Sequence, residues 1–285
     1  MKNTIPLLIK KDNLILWAGL IAAFIACFYP TFEWLHYKYS GGNSYFSHGY
    51  LIPFVSAYLI YQMRDELKCL HVSSSLTGFV IIIFALLIHL LGIIGDINFI
   101  SGFALVGYIS GVSLYLFGKS LTSKIAFPLF FLLFMCPVPD AFIDMVALPF
   151  KSMATSLSMV FFDLLDIPYI REGFKIHFAD STFVVGSPCN GMRSLISFFA
   201  LGFLFLYFIR SKWWKKGLLL LVIPPVSIVL NGLRIAILLY IANTFGQEAA
   251  SPESFLHDGS GLVVFLLGLG FMYIFVRYVV DTKKT

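Results

Sequence analysis

The chain has 285 residues, 59% of them hydrophobic and 12% charged, against roughly 25% charged in an ordinary soluble domain. That balance excludes a soluble globular protein, since no core of this size hides so much apolar surface. The net charge of +5 does not read as nucleic-acid binding; its meaning lies in which side of a membrane each Lys and Arg occupies.

In chain order, Lys2, Lys10 and Lys11 precede the apolar run Leu14–Phe32. A signal peptide begins in the same way. This run is long, however, and no small-residue cleavage site follows it, so it reads as an uncleaved first span. Runs of about 20 apolar residues cross a bilayer. On that basis an all-α polytopic membrane protein is predicted, with about eight spans at 14–32, 49–63, 77–95, 99–117, 125–138, 191–209, 217–241 and 259–280. The whole chain, 1–285, reads as a single integral-membrane domain without internal repeats.

An even number of spans puts both termini on one side. Fourteen of the 20 Lys and Arg then share that side, and six (Lys38, Lys151, Arg171, Lys175, Arg193 and Arg234) fall on the other. The positive-inside rule makes the terminal side cytoplasmic, and a cell inner membrane is expected. Arg210–Lys216, with Trp213 and Trp214 at the interface, is the strongest single anchor.

Residues 141–162 are long enough to span, but Pro149 sits in their middle and Lys151, Ser152, Thr155 and Ser156 form a polar stripe. The segment is expected on the outer interface. Beyond it, Phe174, Ile176 and Phe178 alternate with Lys175 and His177. Ala179-Asp180-Ser181 breaks the run and Thr182–Val185 resumes it, which predicts a short amphipathic hairpin on the outer face, leading the chain to Cys189.

The four cysteines are Cys27, Cys69, Cys136 and Cys189. They form no CxxC and accompany no His-rich spacing, so neither a metal nor a cofactor is expected. Cys136 reads as a packing residue.

Polar residues in or beside spans are costly and so mark candidate sites. Three groups qualify, all on the outer side in this topology. Cys189, in Ser187-Pro-Cys-Asn-Gly-Met-Arg-Ser194, lies just before a span, where the helix dipole favours thiolate. Arg193 adds positive charge one turn on. By position alone, Cys189 reads equally as a nucleophile or as an inert buried thiol. Asn231 and Arg234 share one face of the seventh span. Arg234 there binds a carboxylate or an oxyanion, or it snorkels to the interface. His257, at the start of the last span, is a base kept neutral by the helix N-terminus, or a solvated loop histidine. Glu253 or Asp258 are candidates to orient it. A thiol, a guanidinium and an imidazole at one membrane face suit acyl transfer through a thioester. His177 is a rival base, and His48 either lines the site or caps a span.

The stretches Pro188-Cys-Asn-Gly-Met-Arg-Ser-Leu195 and Asn231-Gly-Leu-Arg-Ile235, followed by His257, resemble in order the signatures of the exosortase/archaeosortase family. Tyr45–Pro53 and Phe127–Pro139 are also similar to exosortases. The likeness runs from about Tyr45 to Gly261. It implies Cys189 as nucleophile, with Arg234 and His257 as its catalytic partners, and Asn190, Arg193, Asn231, His48 and His177 in supporting or substrate-binding places. A His rather than an Arg in the third place points to the bacterial branch. Such bacterial enzymes sometimes carry a further C-terminal domain, which the end at Thr285 is read as lacking. The resemblance also implies substrate proteins whose tails carry a short motif, an apolar span and a basic end. They are cut near the motif by a cysteine transpeptidase and passed to an acceptor nucleophile, or released by hydrolysis of the acyl-enzyme if the enzyme is a simple protease. The partners expected are therefore the lipid bilayer, the tailed substrates and that acceptor, with no nucleic acid. The competing reading is a non-catalytic transporter or assembly partner in exopolysaccharide export. It explains the spans and the intramembrane Arg, but not the gathering of thiol, Arg and His.

Overall fold

A computed structural model describes residues 14–41, 44–179, 182–186, 191–251 and 254–280. The chain forms two compact units, Met1–Val138 and Pro139–Thr285.

In the first unit, α1 (Leu14–Ser40) is followed by a 3-10 turn at Ser47–Tyr50, α2 (Leu51–Gln62) and the short α3 (Arg64–Lys68). Then come α4 (Leu76–Ile94), α5 (Asn98–Lys124), α6 (Ala126–Phe131) and a 3-10 turn at Leu132–Met135. Helices α4 and α5 form a hairpin whose backbones nearly touch. A Cβ on Gly78 would stand 2.2 Å from the backbone nitrogen of Tyr115. Without a hydrophobic drive between helices in lipid, such close backbone packing is what holds them together. Buried polar groups add a second tie. Ser101 Oγ lies 2.7 Å from Thr31 Oγ1 and 2.5 Å from His89 Nδ1, and His89 Nε2 lies 3.0 Å from the Cys27 carbonyl. These contacts join α1, α4 and α5, and they satisfy groups that would be expensive to leave bare in an apolar interior.

In the second unit, α7 (Asp140–Leu164) leads into a three-stranded antiparallel sheet of β1 (Ile170–Glu172), β2 (Lys175–His177) and β3 (Thr182–Val184). Then follow α8 (Met192–Phe208), α9 (Trp213–Phe245) and α10 (Phe255–Phe275), with a π continuation at Val276–Val280. The expected hairpin is present, with one strand more than expected. Its apolar side faces inward, as the alternation required. Ile176 and Phe178 are buried with Ala154, Met159 and Phe162 of α7 and Ile235, Leu238 and Leu239 of α9, while Lys175 is exposed. Bare Gly232 lets α9 approach α7, since a Cβ there would lie 3.1 Å from the Ala154 carbonyl.

Among the described residues, six helices are long and apolar enough to cross a membrane: α1, α4, α5, α7, α9 and α10 with its continuation. The chain is therefore a polytopic all-α membrane protein, but three of the expected eight spans are shorter helices. The 49–63 run becomes a 3-10 turn and a 12-residue helix, 125–138 an apolar helix of Ala126–Met135, and 191–209 a 17-residue helix. At 1.5 Å per residue, the last is about 25 Å long. Apolar length in the sequence counted residues that turns and 3-10 geometry take out of the helices.

Residues 141–162, expected on or dipping into the outer interface, are helical throughout. They lie within one continuous 25-residue helix that runs through Pro149 and has the length and composition of a span. The polar stripe that suggested an interface is partly internal. Thr155 and Ser158 are buried and donate to the carbonyls of Lys151 and Thr155 at 2.7 and 2.8 Å.

The hairpin contact predicts a graded response. Gly78→Ala forces α4 from α5 and should cost about 1–3 kcal/mol, read as a lower unfolding temperature in detergent. Gly270→Ala, with nothing within 4 Å of the new methyl, should stay within about 0.5 kcal/mol. Equal effects would contradict the close backbone contact.

Candidate active site

The site is built on α9, the 33-residue helix against which α7, α8 and α10 all pack. Helix α8 starts at Met192, behind Gly191 as its N-cap, and Gly191 holds φ +77°. That left-handed backbone favours glycine. Space requires it too, since a Cβ would stand 3.0 Å from Asn231 Cγ and 3.1 Å from Nδ2. The start of α8 is thus seated directly on Asn231, which is only 4% exposed.

One turn along the same face of α9 lies Arg234, half-buried. A Cβ on Gly261 of α10 would lie 3.4 Å from its Cζ and Nη2 and 3.6 Å from Nε, so the guanidinium rests on the bare backbone of α10. Helix α9 continues to Phe245, four residues beyond the expected end of its span. Arg234 therefore stands about three turns from that end rather than two.

Gly261 is one turn after His257 on α10, and His257 is 4% exposed. It is not a solvated loop residue. Ser254 caps the helix, its Oγ accepting the His257 N–H at 3.1 Å and donating to the Ala249 carbonyl at 2.6 Å. Ser260 Oγ donates to the His257 carbonyl at 2.7 Å. The ring Nδ1 lies 3.4 Å from the Ala250 carbonyl. A carbonyl only accepts, so that contact assigns the proton to Nδ1 and the basic lone pair to Nε2. Ala250 closes a 3-10 turn, Gln247–Ala250, whose Gln247 Nε2 donates to the Thr182 carbonyl of β3.

The structure therefore brings together the entry of α8, Asn231, Arg234 and the first turns of α10 carrying His257. Cys189 and Asn190 lie outside the described residues, as does Glu253. The described orienting partner of His257 is the Ala250 carbonyl. Arg193 is exposed at the start of α8.

His177 is held within the sheet, Nδ1 2.9 Å from Thr182 Oγ1 and Nε2 3.4 Å from Glu172 Oε2, so both ring nitrogens already have neighbours there. His48 belongs to the first unit. It hydrogen-bonds the Phe134 backbone, and burial lowers its pKa to about 4, leaving it neutral at pH 7. Cys136, also in the first unit, is a buried thiol that donates to the Gly102 carbonyl at 3.2 Å, which is a packing role. Among the described residues, no three His, Cys, Asp or Glu side chains come together as a metal site.

Sequence reasoning missed the two glycines and the Gln247–Ala250 turn. Ser254, three residues before His257 and followed by an apolar run, carries a cap signal that was legible.

Residues 34–274 match the family model described as transmembrane exosortase. No curated protein and no solved structure matches the chain significantly. The matched range holds the stretch at Cys189, the Asn231–Ile235 stretch and His257. The match extends over most of the chain, and the chain belongs to the transmembrane exosortase family.

Proposed function

We propose that this protein is a membrane-embedded cysteine transpeptidase. It cleaves the C-terminal sorting tail of exported proteins through a thioester and transfers them to an acceptor nucleophile. The observation that carries this reading is the seating of Gly191 on Asn231 and of Arg234 on Gly261. Those contacts bring α8, which begins three residues after Cys189, to the face that also carries a buried, tautomer-fixed His257.

In this reading the Cys189 thiolate attacks the scissile carbonyl. Arg234, always charged and presenting a planar fork of donors, stabilises the oxyanion. His257 Nε2, having taken the Cys189 thiol proton, gives it to the leaving amine, whose segment departs with the membrane tail. The acceptor then attacks the thioester, with His257 Nε2 taking its proton, and the thiolate leaves. Asn231 holds the entry of α8, and Arg193 adds positive potential near the thiol.

Charge supports the orientation. In the second unit, the Arg210–Lys216 loop lies at the end opposite His257, and Ser211 Oγ donates to the Val280 carbonyl there at 2.5 Å. The positive-inside rule puts that basic end in the cytoplasm of an inner-membrane protein and the site on the extracytoplasmic face. A substrate with a membrane tail then arrives through the lipid.

Two outcomes follow. Cys189→Ala should abolish processing of a tailed reporter while the protein stays inserted, with Cys189→Ser nearly as inactive. Normal processing by Cys189→Ala would exclude an enzyme and leave the transporter reading. Arg234→Lys keeps the charge but loses the fork. It should lower kcat on the order of 100-fold at unchanged protein level, as measured by initial rates. Near-normal rates would show that Arg234 only snorkels.

A further inference from the structure

The sheet that leads to Cys189 has an edge whose open groups can be named from its register. In the β2–β3 pair, Lys175 stands opposite Val184, Ile176 opposite Phe183 and His177 opposite Thr182. Val185 N–H donates to the Phe174 carbonyl at 2.9 Å, so that next pair is hydrogen-bonded. Antiparallel pairs alternate between bonded and non-bonded. Phe183 and Ile176 are therefore bonded, while Thr182 and Val184 turn their N–H and C=O groups away from β2.

Two contacts agree with this assignment. Side chains approach closely across a non-bonded pair, and His177 Nδ1 lies 2.9 Å from Thr182 Oγ1. The Thr182 carbonyl points outward far enough to accept from Gln247 Nε2. β3 is the last strand of the sheet, and Val184 is 55% exposed. The inner face of the sheet is already filled by Ile176 packing on α7 and α9.

We propose that the extended segment of the substrate beside its scissile bond pairs as a fourth strand on the outer edge of β3. It bonds to the N–H and C=O of Val184 and takes the Thr182 carbonyl over from Gln247. This rests on the reading of Cys189 as the nucleophile. Two features identify the occupant as extended polypeptide. The open groups are the alternating donors and acceptors of a strand, and an amide donor, that of Gln247, already sits where a pairing backbone would place one. Val184 also precedes Cys189 by only five residues in the chain. Backbone pairing of this kind supplies affinity without regard to side chains. Gln247 opens the same short turn whose Ala250 carbonyl meets His257 Nδ1, so a strand that displaces Gln247 acts on the segment that holds the imidazole.

Proline provides the test, because it removes an N–H yet is tolerated where that N–H faces outward from an edge strand. The probe is a reporter protein bearing the tail of a protein from the same genome that ends in a short motif, one apolar span and a basic cluster. Val184→Pro should lower kcat/KM for this reporter about 10-fold, the effect of one lost donor with its acceptor left unpaired. Alkylation of Cys189 by iodoacetamide and the unfolding temperature should stay near those of the parent. Val184→Thr, which keeps the N–H, should lose far less. Gln247→Ala frees the Thr182 carbonyl and should lower KM about 3-fold. Equal rates for Val184→Pro and Val184→Thr, or a KM unchanged or raised in Gln247→Ala, would overturn the pairing. Processing that survives Cys189→Ala overturns the enzyme reading instead, which keeps the two failures apart.

Discussion

A guanidinium inside an apolar helical bundle is the constraint on which the second unit depends. A charged side chain at that depth is expensive, and it persists where the surrounding structure gives it a place. Here the place is made by backbone rather than by side chains. Gly191 lets the start of α8 reach Asn231, and Gly261 lets α10 lie against Arg234. A side chain at either glycine would have to displace the polar face of α9 or shift a helix. The start of α8 and the Asn231 turn of α9 thus meet in a single contact.

Intramembrane polar groups do not all carry function, and the two units show the difference. In the first, Thr31, His89 and Ser101 are buried, bonded to one another and to the Cys27 carbonyl. That network joins three helices. His48 and Cys136 likewise bond backbone groups of their own unit, at Phe134 and Gly102. In the second unit, the buried imidazole of His257 has one nitrogen assigned to a carbonyl and stands one turn from the guanidinium's resting place. Directed proton inventory, rather than burial alone, distinguishes the candidate base.

Much of this was legible in the sequence, for identifiable reasons. Composition and run length disclosed a polytopic membrane protein, since helices in lipid must be both apolar and long. The alternation at Phe174, Ile176 and Phe178 disclosed the hairpin and its buried side, because a strand's side chains change face at every residue. Thr182–Val185 also reads as resuming that run, and the strand the alternation does not mark is Ile170–Glu172, which is too short to show a period. Six helices rather than eight reach span length among the described residues, partly because apolar runs contain 3-10 turns, as at Leu132–Met135, which hydropathy does not register. In residues 141–162 the hydroxyls of Thr155 and Ser158 bond back to their own helix, which a polar stripe read from sequence does not disclose. Asn231, Arg234 and His257 were found by the rarity of such groups in spans. Gly191 and Gly261 were not singled out, because a glycine announces a close approach only once its neighbour is known.

The central claim is that the Asn231–Arg234 face and His257 serve a thiol that carries an acyl group. Intact-mass spectrometry of the purified enzyme, acid-quenched during turnover of a tailed reporter, tests it most directly. The account predicts an adduct of the reporter's mass less its released tail, attached at Cys189 and removed by neutral hydroxylamine as a thioester should be. An enzyme that turns over the reporter with no such adduct, or with the adduct on another residue, would contradict it.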